Sequence, residues 1–425
     1  MTASGLLGDT GGVTTTEPTG AVDPNLLLVE AMMTPEGRAD PYPRYRALQQ
    51  HAPVFESVID ALVVVRYKDC WEVLRDNRLG KSDRGERDMV RMTPYQQEQT
   101  AQRNPRDSSM LFLNPPDHTR LRGLVSKAFT PRTVERMRPE ILDITDDLLD
   151  AWDGELDVIS SLAFPLPVTV IGRMLGVPEA DRRDFQPIVQ AATKGLEFSM
   201  SDDEFDAAMA ALDHLNEYFV DLVAARRKEP EDDLLTSLIH ARDEGDRLSE
   251  EEIVSTAILL FAAGFETTTN LIGNGLYALL SHPDQLRRLH EEPRLIKSAV
   301  EEILRWDSPV QIDGRSAFED VEIAGHHVPK DGFVVTLLGA ANHDPTHYTE
   351  PERFDIARDE GPPMSFASGI HYCLGAALAR LEGQVVFGRV LERFPTLELL
   401  DEAPHYKDNF VLRGLSELRV DAQAA

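Results

Sequence analysis

The spacing of hydrophobic residues predicts helices over most of the chain from Asp117 onward. Apolar residues recur there every three or four positions, as on the buried face of a helix. One helix begins at Asp117 after the pair Pro115-Pro116, and Thr130 and Ser160 mark further helix starts. Strands do not alternate regularly with these helices, so a large parallel sheet is not expected.

Four short segments have the composition of β-strands, and they are residues 54–58, 61–67, 321–323 and 333–337. A turn at Asp60 separates the first two. Gly325 and the turn at 330–332 separate the last two, which predicts a small hairpin or meander. We therefore expect a mainly α fold with small β-sheets.

The chain divides into a short leader and one large domain. The first residues are rich in Gly and Thr, and we expect a flexible leader over residues 1–35. Residues 36–425 contain neither an internal repeat nor a clear linker, so that one domain is expected. Residues 80–105 are charged and irregular, which predicts a long loop.

Residues 255–281 contain a single charged residue, Glu266. Their length would suffice to span a bilayer. Asn270, Asn274 and three consecutive threonines weaken that interpretation, because a helix that is apolar all round is equally typical of the centre of a large core. We favour the buried helix and keep the membrane span as the alternative.

The charge balance limits the classes of partner. The chain has 73 acidic and 43 basic residues and a formal net charge of −30. Such a surface repels phosphate backbones and anionic lipid heads, so we expect neither nucleic acid nor a membrane as partner. The two cysteines, Cys70 and Cys373, fit a reducing cytoplasm and exclude a disulfide framework. The first basic residue is Arg38, so the charged start of a secretory signal is missing.

Cys373 lies directly before a run with helical spacing. Backbone N–H groups and the helix dipole stabilise a thiolate at such a position. A thiolate is the ligand that a haem iron needs for O–O cleavage. Gly369 would allow a tight turn before the cysteine, Gly375 a close approach of the helix to a ring plane, and Phe366 could shield the sulfur.

Three other interpretations of Cys373 are open at this point. A lone cysteine is most often a small buried hydrophobic residue. His371 lies two residues away, so a Cys–His nucleophile is conceivable. A zinc site is weaker, because only these two ligands lie nearby.

Residues 366–375 resemble the haem-binding signature of the cytochrome P-450 family, Phe-x-x-Gly-x-His/Arg-x-Cys-x-Gly. The matching residues are Phe366, Gly369, His371, Cys373 and Gly375. The family often has Gly at the position of Ala367, a mild departure that should not affect ligation. The resemblance implies the P-450 fold, with haem b between a long central helix and the cysteine loop and with Cys373 as the axial ligand of the iron.

Residues 261–269, Phe-Ala-Ala-Gly-Phe-Glu-Thr-Thr-Thr, resemble the oxygen-activation motif of the family, Ala-Gly-x-Glu/Asp-Thr. An isolated Glu-Thr pair in a helix is more often a capped or ion-paired acid. The resemblance implies that Ala263 and Gly264 flank the oxygen pocket. It also implies that Glu266 relays protons and that Thr267 steadies the activated oxygen. Gly264 would let a small molecule approach the helix backbone.

Glu302 and Arg305 are three residues apart and therefore lie on one helical face. They resemble the buried Glu-x-x-Arg pair of the family. Arg353, in Pro-Glu-Arg-Phe, occupies the position of the third member. The resemblance implies that these three residues lock the core behind the haem.

Four basic residues stand where the family binds the haem propionates, and they are His118, Arg122, Arg315 and His371. His118 and Arg122 are four apart on one predicted helix and can reach one anion together. Buried propionates require such partners. Asn114 replaces the usual Asp of the family's Asp-Pro-Pro-x-His-x-x-x-Arg segment, which leaves these contacts available.

The resemblance covers about residues 36–420 in the expected motif order. It implies a soluble, monomeric, bacterial-type haem-thiolate monooxygenase of the cytoplasm that inserts one atom of O2 into a small organic substrate. A separate ferredoxin and a NAD(P)H-dependent ferredoxin reductase would supply electrons. Residues 270–289 resemble those of actinobacterial enzymes that hydroxylate macrolides and other secondary metabolites.

The resemblance places the substrate pocket under residues 80–113, 163–205 and 260–267, closed by 309–313 and 410–412. These segments contain large apolar residues, so we expect a mostly apolar substrate. Those residues are Met89, Met92, Phe112, Phe198, Ile312 and Phe410.

Two other functions remain open. A haem-thiolate sensor would bind a ligand without turnover, but it would not need the Glu266-Thr267 pair. A cysteine-dependent hydrolase would carry no haem and would need a base and oxyanion donors that converge on Cys373.

Overall fold

The computed structural model describes residues 22–422, except 82–91, 102–108, 198, 244–245 and 402. Helices form most of it. Those of the first half are α1 (Pro24–Met33), α2 (Pro35–Ala39), α3 (Tyr42–His51), α4 (Tyr67–Arg75), α5 (Pro94–Ala101), α6 (Asp117–Val125), α7 (Pro131–Glu135), α8 (Arg138–Leu149), α9 (Pro165–Leu175), α10 (Glu179–Arg182), α11 (Phe185–Thr193) and α12 (Asp202–Lys228). Those of the second half are α13 (Leu234–His240), α14 (Glu250–Ser281), α15 (Pro283–Glu291), α16 (Ile296–Trp306), α17 (Leu338–Ala341) and α18 (Ala376–Arg393).

The strands are short. They are β1 (Val54–Ser57), β2 (Ala61–Val64), β3 (Leu79–Gly80), β4 (Gly154–Asp157), β5 (Arg242–Asp243), β6 (Asp246–Arg247), β7 (Ile312–Ala317), β8 (Val321–Ile323), β9 (His326–Val328), β10 (Phe333–Leu337), β11 (Glu398–Leu399), β12 (His405–Tyr406), β13 (Leu415–Glu417) and β14 (Arg419–Ala422). The mainly α fold with small sheets that the sequence predicts is therefore confirmed.

The largest sheet joins strands that are far apart in the chain, in the order β1-β2-β10-β7-β3. β2 and β10 are parallel, and the other neighbours are antiparallel. Alternate side chains enter separate apolar clusters on the two faces: Val63 and Val335 lie in one, Leu62 and Val334 in the other. The hairpin or meander predicted for 321–337 is found in part: β8 pairs with β9 across Gly325, whereas β10 pairs with β7 in the large sheet.

The helix α14 lies at the centre of the molecule. It begins with a capping box, in which Ser249 Oγ accepts the N–H of Glu252 at 3.1 Å and the Glu252 carboxylate accepts the N–H of Ser249 at 2.8 Å. α9, α12, α16 and α18 pack against it. The prediction of a buried helix for 255–281 is confirmed. Throughout the part of the chain that the structure describes, every helix is too short or too polar to cross a membrane.

The sequence predicts two segments without regular secondary structure, and both predictions need correction. α1 begins at Pro24, and its buried residues Leu28, Ala31 and Met32 belong to an apolar cluster of the body, so residues 24–35 are not a leader. Residues 1–21 lie outside the described residues. Within the expected loop of 80–105, residues Pro94–Ala101 form a helix, and 82–91 and 102–105 lie outside the described residues.

A buried ion pair holds α16 to the loop that precedes the cysteine segment. Arg305 donates from Nε to Glu302 Oε2 at 2.6 Å and from Nη2 to Oε1 at 2.8 Å. This bidentate geometry is the strong form of an Arg–carboxylate contact. Arg305 Nη1 also donates to the carbonyl oxygens of Asn342 at 3.0 Å and Pro351 at 2.9 Å. The pair therefore orders the loop backbone around it.

The third member of this network is Arg358, and the prediction of Arg353 is wrong. Arg358 Nε lies 3.2 Å from Glu302 Oε2. The Arg353 side chain points to the surface, where it lies 3.3 Å from Glu350, and only its backbone carbonyl accepts a hydrogen bond from Arg305. The two arginines occupy the same loop five residues apart, and the sequence does not say which side chain turns inward.

Replacement of Arg358 by Ala is expected to lower the free energy of unfolding by about 2–3 kcal/mol, because a buried carboxylate loses one of its two cations. Arg353→Ala is the matched control and should change it by less than about 0.5 kcal/mol. Urea unfolding of both variants measures the difference. Equal losses would contradict the assignment of Arg358.

Candidate active site

A glycine shapes the segment before Cys373. Gly369 has φ +72°, and a Cβ atom there would lie 2.2 Å from the backbone oxygen of Leu74. Two 3-10 turns, Met364–Phe366 and Gly369–His371, lead to the cysteine, whose N–H donates to the Phe366 carbonyl at 3.0 Å. The chain thus makes the predicted tight turn at Gly369 and brings Cys373 to the start of α18.

Cys373 is exposed, although protein atoms surround its sulfur closely. Burial raises the pKa of the Cys373 thiol, while the N–H groups of Gly375 and Ala376 and the charges of Arg122 and Arg380 act in the opposite direction. The N–H groups of the helix N-terminus therefore favour the thiolate, as the sequence predicts, but burial acts against them. The positive charge of a bound iron would supply what is missing.

Whether a haem fits beside Cys373 can be judged from buried polar atoms that lack hydrogen-bond partners. Within the described ranges, both ring nitrogens of His118, Nε2 of His371 and Nη2 of Arg315 lack hydrogen-bond partners. The rings of His118 and His371 are 4.2 Å apart. Buried donors require acceptors, and the two propionate groups of a haem would provide them beside Cys373. The residues present fit the cofactor.

The electrostatic potential at His118 and His371 is positive. Burial lowers the pKa of His371 to about 3, and the charges of Lys81 and Arg315 act in the same direction. Burial and the charge of Arg122 likewise lower the pKa of His118. A histidine in such a field regains basicity when an anion arrives. The site is thus built to receive negative charge.

Some contacts of this cluster were not anticipated from the sequence. Arg315 Nη1 lies 2.5 Å from Asp313 Oδ1, an oxygen that Lys81 also contacts. Arg122 is only partly buried, and its Nη2 donates to the carbonyl of Tyr372 in the cysteine loop. Its contact with an anion therefore stays a prediction.

Phe366, the proposed shield of the sulfur, is buried below the guanidinium of Arg380, whose central carbon lies 4.4 Å from the ring centroid. Its position next to the cysteine loop is compatible with the predicted shielding of the sulfur. A Cβ atom at Gly375 would meet no atom within 4 Å, so open space borders the start of α18, and the close approach of the helix to a ring plane stays a prediction.

The central helix exposes one short stretch of an otherwise buried surface. Ala263 is exposed and Thr267 is partly exposed, whereas Phe265 and Glu266 between them are buried. Residues four apart share a face of a helix. Thr267 Oγ1 donates to the carbonyl of Ala263 at 2.9 Å. The two residues thus present a small apolar surface and one hydroxyl group.

Gly264 has a different role from the predicted one. A Cβ atom at this position would lie 2.9 Å from Ile171 Cγ1 in α9. The missing side chain thus allows α9 to pack closely on α14, and the expectation that a small molecule approaches the backbone there is wrong.

Glu266 is buried and bonded to a residue that the sequence did not single out. Its Oε1 lies 2.7 Å from Nζ of Lys407, 141 residues further along the chain. Lys407 Nζ also donates to Asn270 Oδ1 at 2.9 Å. No local pattern in the sequence predicts a contact between such distant segments.

A second buried acid adjoins α14 from the other side. Glu382 on α18 is 1% exposed, and burial raises its pKa to about 8 although a hydrogen bond with Thr268 acts against this. Burial therefore favours the protonated form of Glu382. Glu382 belongs to none of the sequence motifs. The only feature of the sequence that could have singled it out is its position as a lone acid among apolar residues with helical spacing.

Ala367 has φ +55° and ψ −155°, a backbone region that only Gly adopts freely. Ala367→Gly is therefore expected to raise the free energy of unfolding by about 1 kcal/mol, as measured by urea unfolding. Ala379→Gly, inside α18, is the control and should lower it by about 1 kcal/mol. A loss in both variants would show that Ala367 is not strained.

The comparisons with known proteins agree with this geometry. The family model described as Cytochrome P450 matches residues 193–418. The chain is 44% identical to the vitamin D(3) 25-hydroxylase of Pseudonocardia autotrophica, over 90% of this chain and 93% of that protein. It is 40% identical to the cytochrome P450 monooxygenase PikC of Streptomyces venezuelae, over 90% and 91% of the two chains.

A solved structure gives the same result. The crystal structure of P450BioI in complex with a hexadec-9Z-enoic acid ligated acyl carrier protein superposes with a TM-score of 0.84 at 38% identity, and the match covers 91% of this chain and 99% of that chain. These findings confirm the P-450 resemblance and exclude the cysteine-dependent hydrolase. The chain belongs to the cytochrome P450 family and is a haem b-dependent monooxygenase.

Proposed function

We propose that this monooxygenase hydroxylates a mostly apolar small molecule, a secondary metabolite such as a macrolide or another polyketide. One oxygen atom of O2 enters the substrate and the other forms water. The electrons come from a separate ferredoxin and a NAD(P)H-dependent ferredoxin reductase. We further propose that the enzyme acts as a monomer in the cytoplasm.

The observation that carries the proposal is the meeting of three distant segments in one apolar cluster. Ile312 at the start of β7 and Phe410 and Leu412 of the C-terminal segment belong to it, and Leu196 packs against it from the segment after α11. These are three of the segments that the P-450 resemblance assigns to the pocket. Met89 and Phe198 lie outside the described residues. An apolar wall favours an apolar ligand.

The names of relatives support the same class of ligand. One relative is named a vitamin D(3) 25-hydroxylase and another a polyketide biosynthesis cytochrome P450. Solved relatives are described in complex with myristic acid and with testosterone. These ligands differ in shape but are all largely apolar. The polyketide assignment for this chain is therefore one choice within a broader apolar class.

Each residue of the site has a proposed role. A haem held by Cys373 supplies the activation of dioxygen. His118, His371 and Arg315 bind its carboxylates, Thr267 steadies the oxygen, and Glu266 relays protons. Because the described face of α14 near Ala263 carries the Thr267 hydroxyl, an apolar substrate can lie there without burying many unpaired polar groups.

A ferredoxin would dock over the cysteine loop, where Ile370 and Tyr372 are exposed. Arg380 is a basic residue beside this surface. It lies 2.5 Å from Glu301, and it donates to the Tyr372 hydroxyl at 3.0 Å, so part of its charge is neutralised. The proposed contact is therefore more apolar than the sequence suggests.

Titration of the haem-loaded protein with a macrolide, a fatty acid and glucose tests the ligand class. The apolar ligands should shift the Soret band and glucose should not. Turnover of a binding ligand with ferredoxin, reductase and labelled dioxygen should place one labelled atom in the product. Phe410→Ala should weaken apolar binding about tenfold, because an apolar side chain is lost from the wall.

Cys373→Ala is the control for chemistry and should form no product. Tighter binding of glucose than of either apolar ligand would exclude the proposed substrate class. Product formation without any ferredoxin would exclude the proposed electron donor.

Thr267→Ala should lower the yield of product per NAD(P)H between about tenfold and a hundredfold, with hydrogen peroxide released instead, because proton delivery loses its hydroxyl group. Haem content should stay normal. Product and peroxide are quantified against NAD(P)H consumed. Thr269→Ala, a buried alcohol on another face of α14, is the matched control and should keep the wild-type yield. An unchanged yield in Thr267→Ala would refute the role of this residue.

A further inference from the structure

Glu301 and Glu302 are adjacent on α16, but they pair with different arginines. Glu302 is buried and bonds to Arg305 and Arg358. Glu301 is 33% exposed and pairs with Arg380 of α18. In this second pair, Arg380 donates from Nε to Oε1 at 2.5 Å and from Nη2 to Oε2 at 3.0 Å. The pair of Glu301 and Arg380 is therefore separate from the buried network of the core.

The guanidinium group of Arg380 is held from three sides. The Glu301 carboxylate accepts hydrogen bonds from two of its nitrogens. The third nitrogen, Nη1, donates to the Tyr372 hydroxyl at 3.0 Å. The central carbon lies 4.4 Å from the centroid of the Phe366 ring, so the planar group also stacks on an aromatic face. These contacts fix the position of the positive charge beside the cysteine loop.

This charge acts on the cysteine sulfur. The positive charges of Arg122 and Arg380 both favour the ionised form of Cys373. Arg122 donates to the carbonyl of Tyr372, a group without net charge. Arg380 is bonded to a carboxylate instead, and this carboxylate offsets its charge. The two cations beside Cys373 thus differ, because Glu301 weakens the effect of Arg380.

The charge balance at this pair affects electron uptake by a haem bound to Cys373. Reduction adds one negative charge to the iron. A nearby positive charge therefore favours the reduced form, and a nearby negative charge favours the oxidised form. Partly buried charges are screened by salt less than exposed ones. Because Arg380 is 23% exposed, its field at the sulfur depends on the partner that neutralises it.

We propose that Glu301 is a positioning residue that, as the counter-charge of Arg380, keeps the reduction potential of the haem low. The inference rests on the proposed ligation of the iron by Cys373, and it is independent of the substrate class and of the electron donor. One electron enters the haem, and Glu301 and Arg380 exchange no proton. A low potential makes the ferric haem a poorer electron acceptor, so that its reduction demands a stronger donor.

The test is a spectroelectrochemical titration of the haem-loaded protein without substrate. Glu301→Gln should raise the equilibrium constant of reduction between about threefold and tenfold, where tenfold corresponds to about 59 mV. Arg380→Met should lower it by a similar factor, because the carboxylate is left without its counter-charge. Glu301→Asp keeps the charge and should stay close to the wild type. A structural disturbance of the cysteine loop would not shift the two charge variants in opposite directions.

Three controls accompany the titration. Glu392→Gln removes a carboxylate that lies 2.5 Å from Arg389 further along α18 and is 67% exposed, and it should leave the potential unchanged. The double variant Glu301→Gln/Arg380→Met loses both charges of a neutral pair and should return close to the wild type. The reduced carbon monoxide complex of every variant should keep the red-shifted Soret band of a thiolate ligand. If Arg380→Met does not load haem, Arg380→Gln replaces it, because the amide can still donate to the Tyr372 hydroxyl.

A wild-type or lower potential in Glu301→Gln would overturn the proposal. The same conclusion follows if the double variant keeps the full shift of Glu301→Gln, because Glu301 would then not act through Arg380. A wild-type protein whose carbon monoxide complex lacks the red-shifted band would overturn the ligand Cys373 and this inference with it. Failure of the proposed function looks different: the potentials shift as expected, but no apolar ligand is oxidised.

Discussion

The site depends on buried polar atoms that have no hydrogen-bond partner in the part of the chain that the structure describes. His118, His371 and Arg315 offer such atoms next to Cys373. Unpaired buried donors cost free energy, and this cost is removed when an anionic group arrives. Burial similarly opposes ionisation of the thiol, and iron reverses that preference. Cofactor binding and stability of the fold are therefore linked, because a haem would satisfy groups that have no partner among the described residues.

Features encoded by local pattern could be predicted from the sequence. The uncharged run around Glu266 predicts the central helix, and the spacing of Gly369 from Cys373 predicts the turn that delivers the ligand. Both depend on residues close together in the chain. The strand at 333–337 was also located, but its partners were not, because pairing of β10 with β2 and β7 is decided by the packing of the entire sheet.

The errors share one cause. Arg353 and Arg358 are equivalent as sequence signals, and only the loop conformation turns Arg358 toward Glu302. Gly264 was assigned to ligand access, but the neighbouring helix fills the space beside it. Lys407 lies 141 residues from its partner. Tertiary structure decides which long side chain reaches a buried acid. The spacing of residues in the sequence carries no signal of such a contact.

The parallel contact between β2 and β10 has a consequence for biosynthesis. Val63 lies opposite Val335, so the sheet cannot close before most of the polypeptide has left the ribosome. The early strands β1 and β2 can form only an isolated hairpin until then, and such hairpins are marginally stable in water. Contacts of this sequence separation make folding slow, and the exposed edge of β2 invites association with other nascent chains. Expression yield in a foreign host should therefore depend on chaperone supply and on the rate of translation.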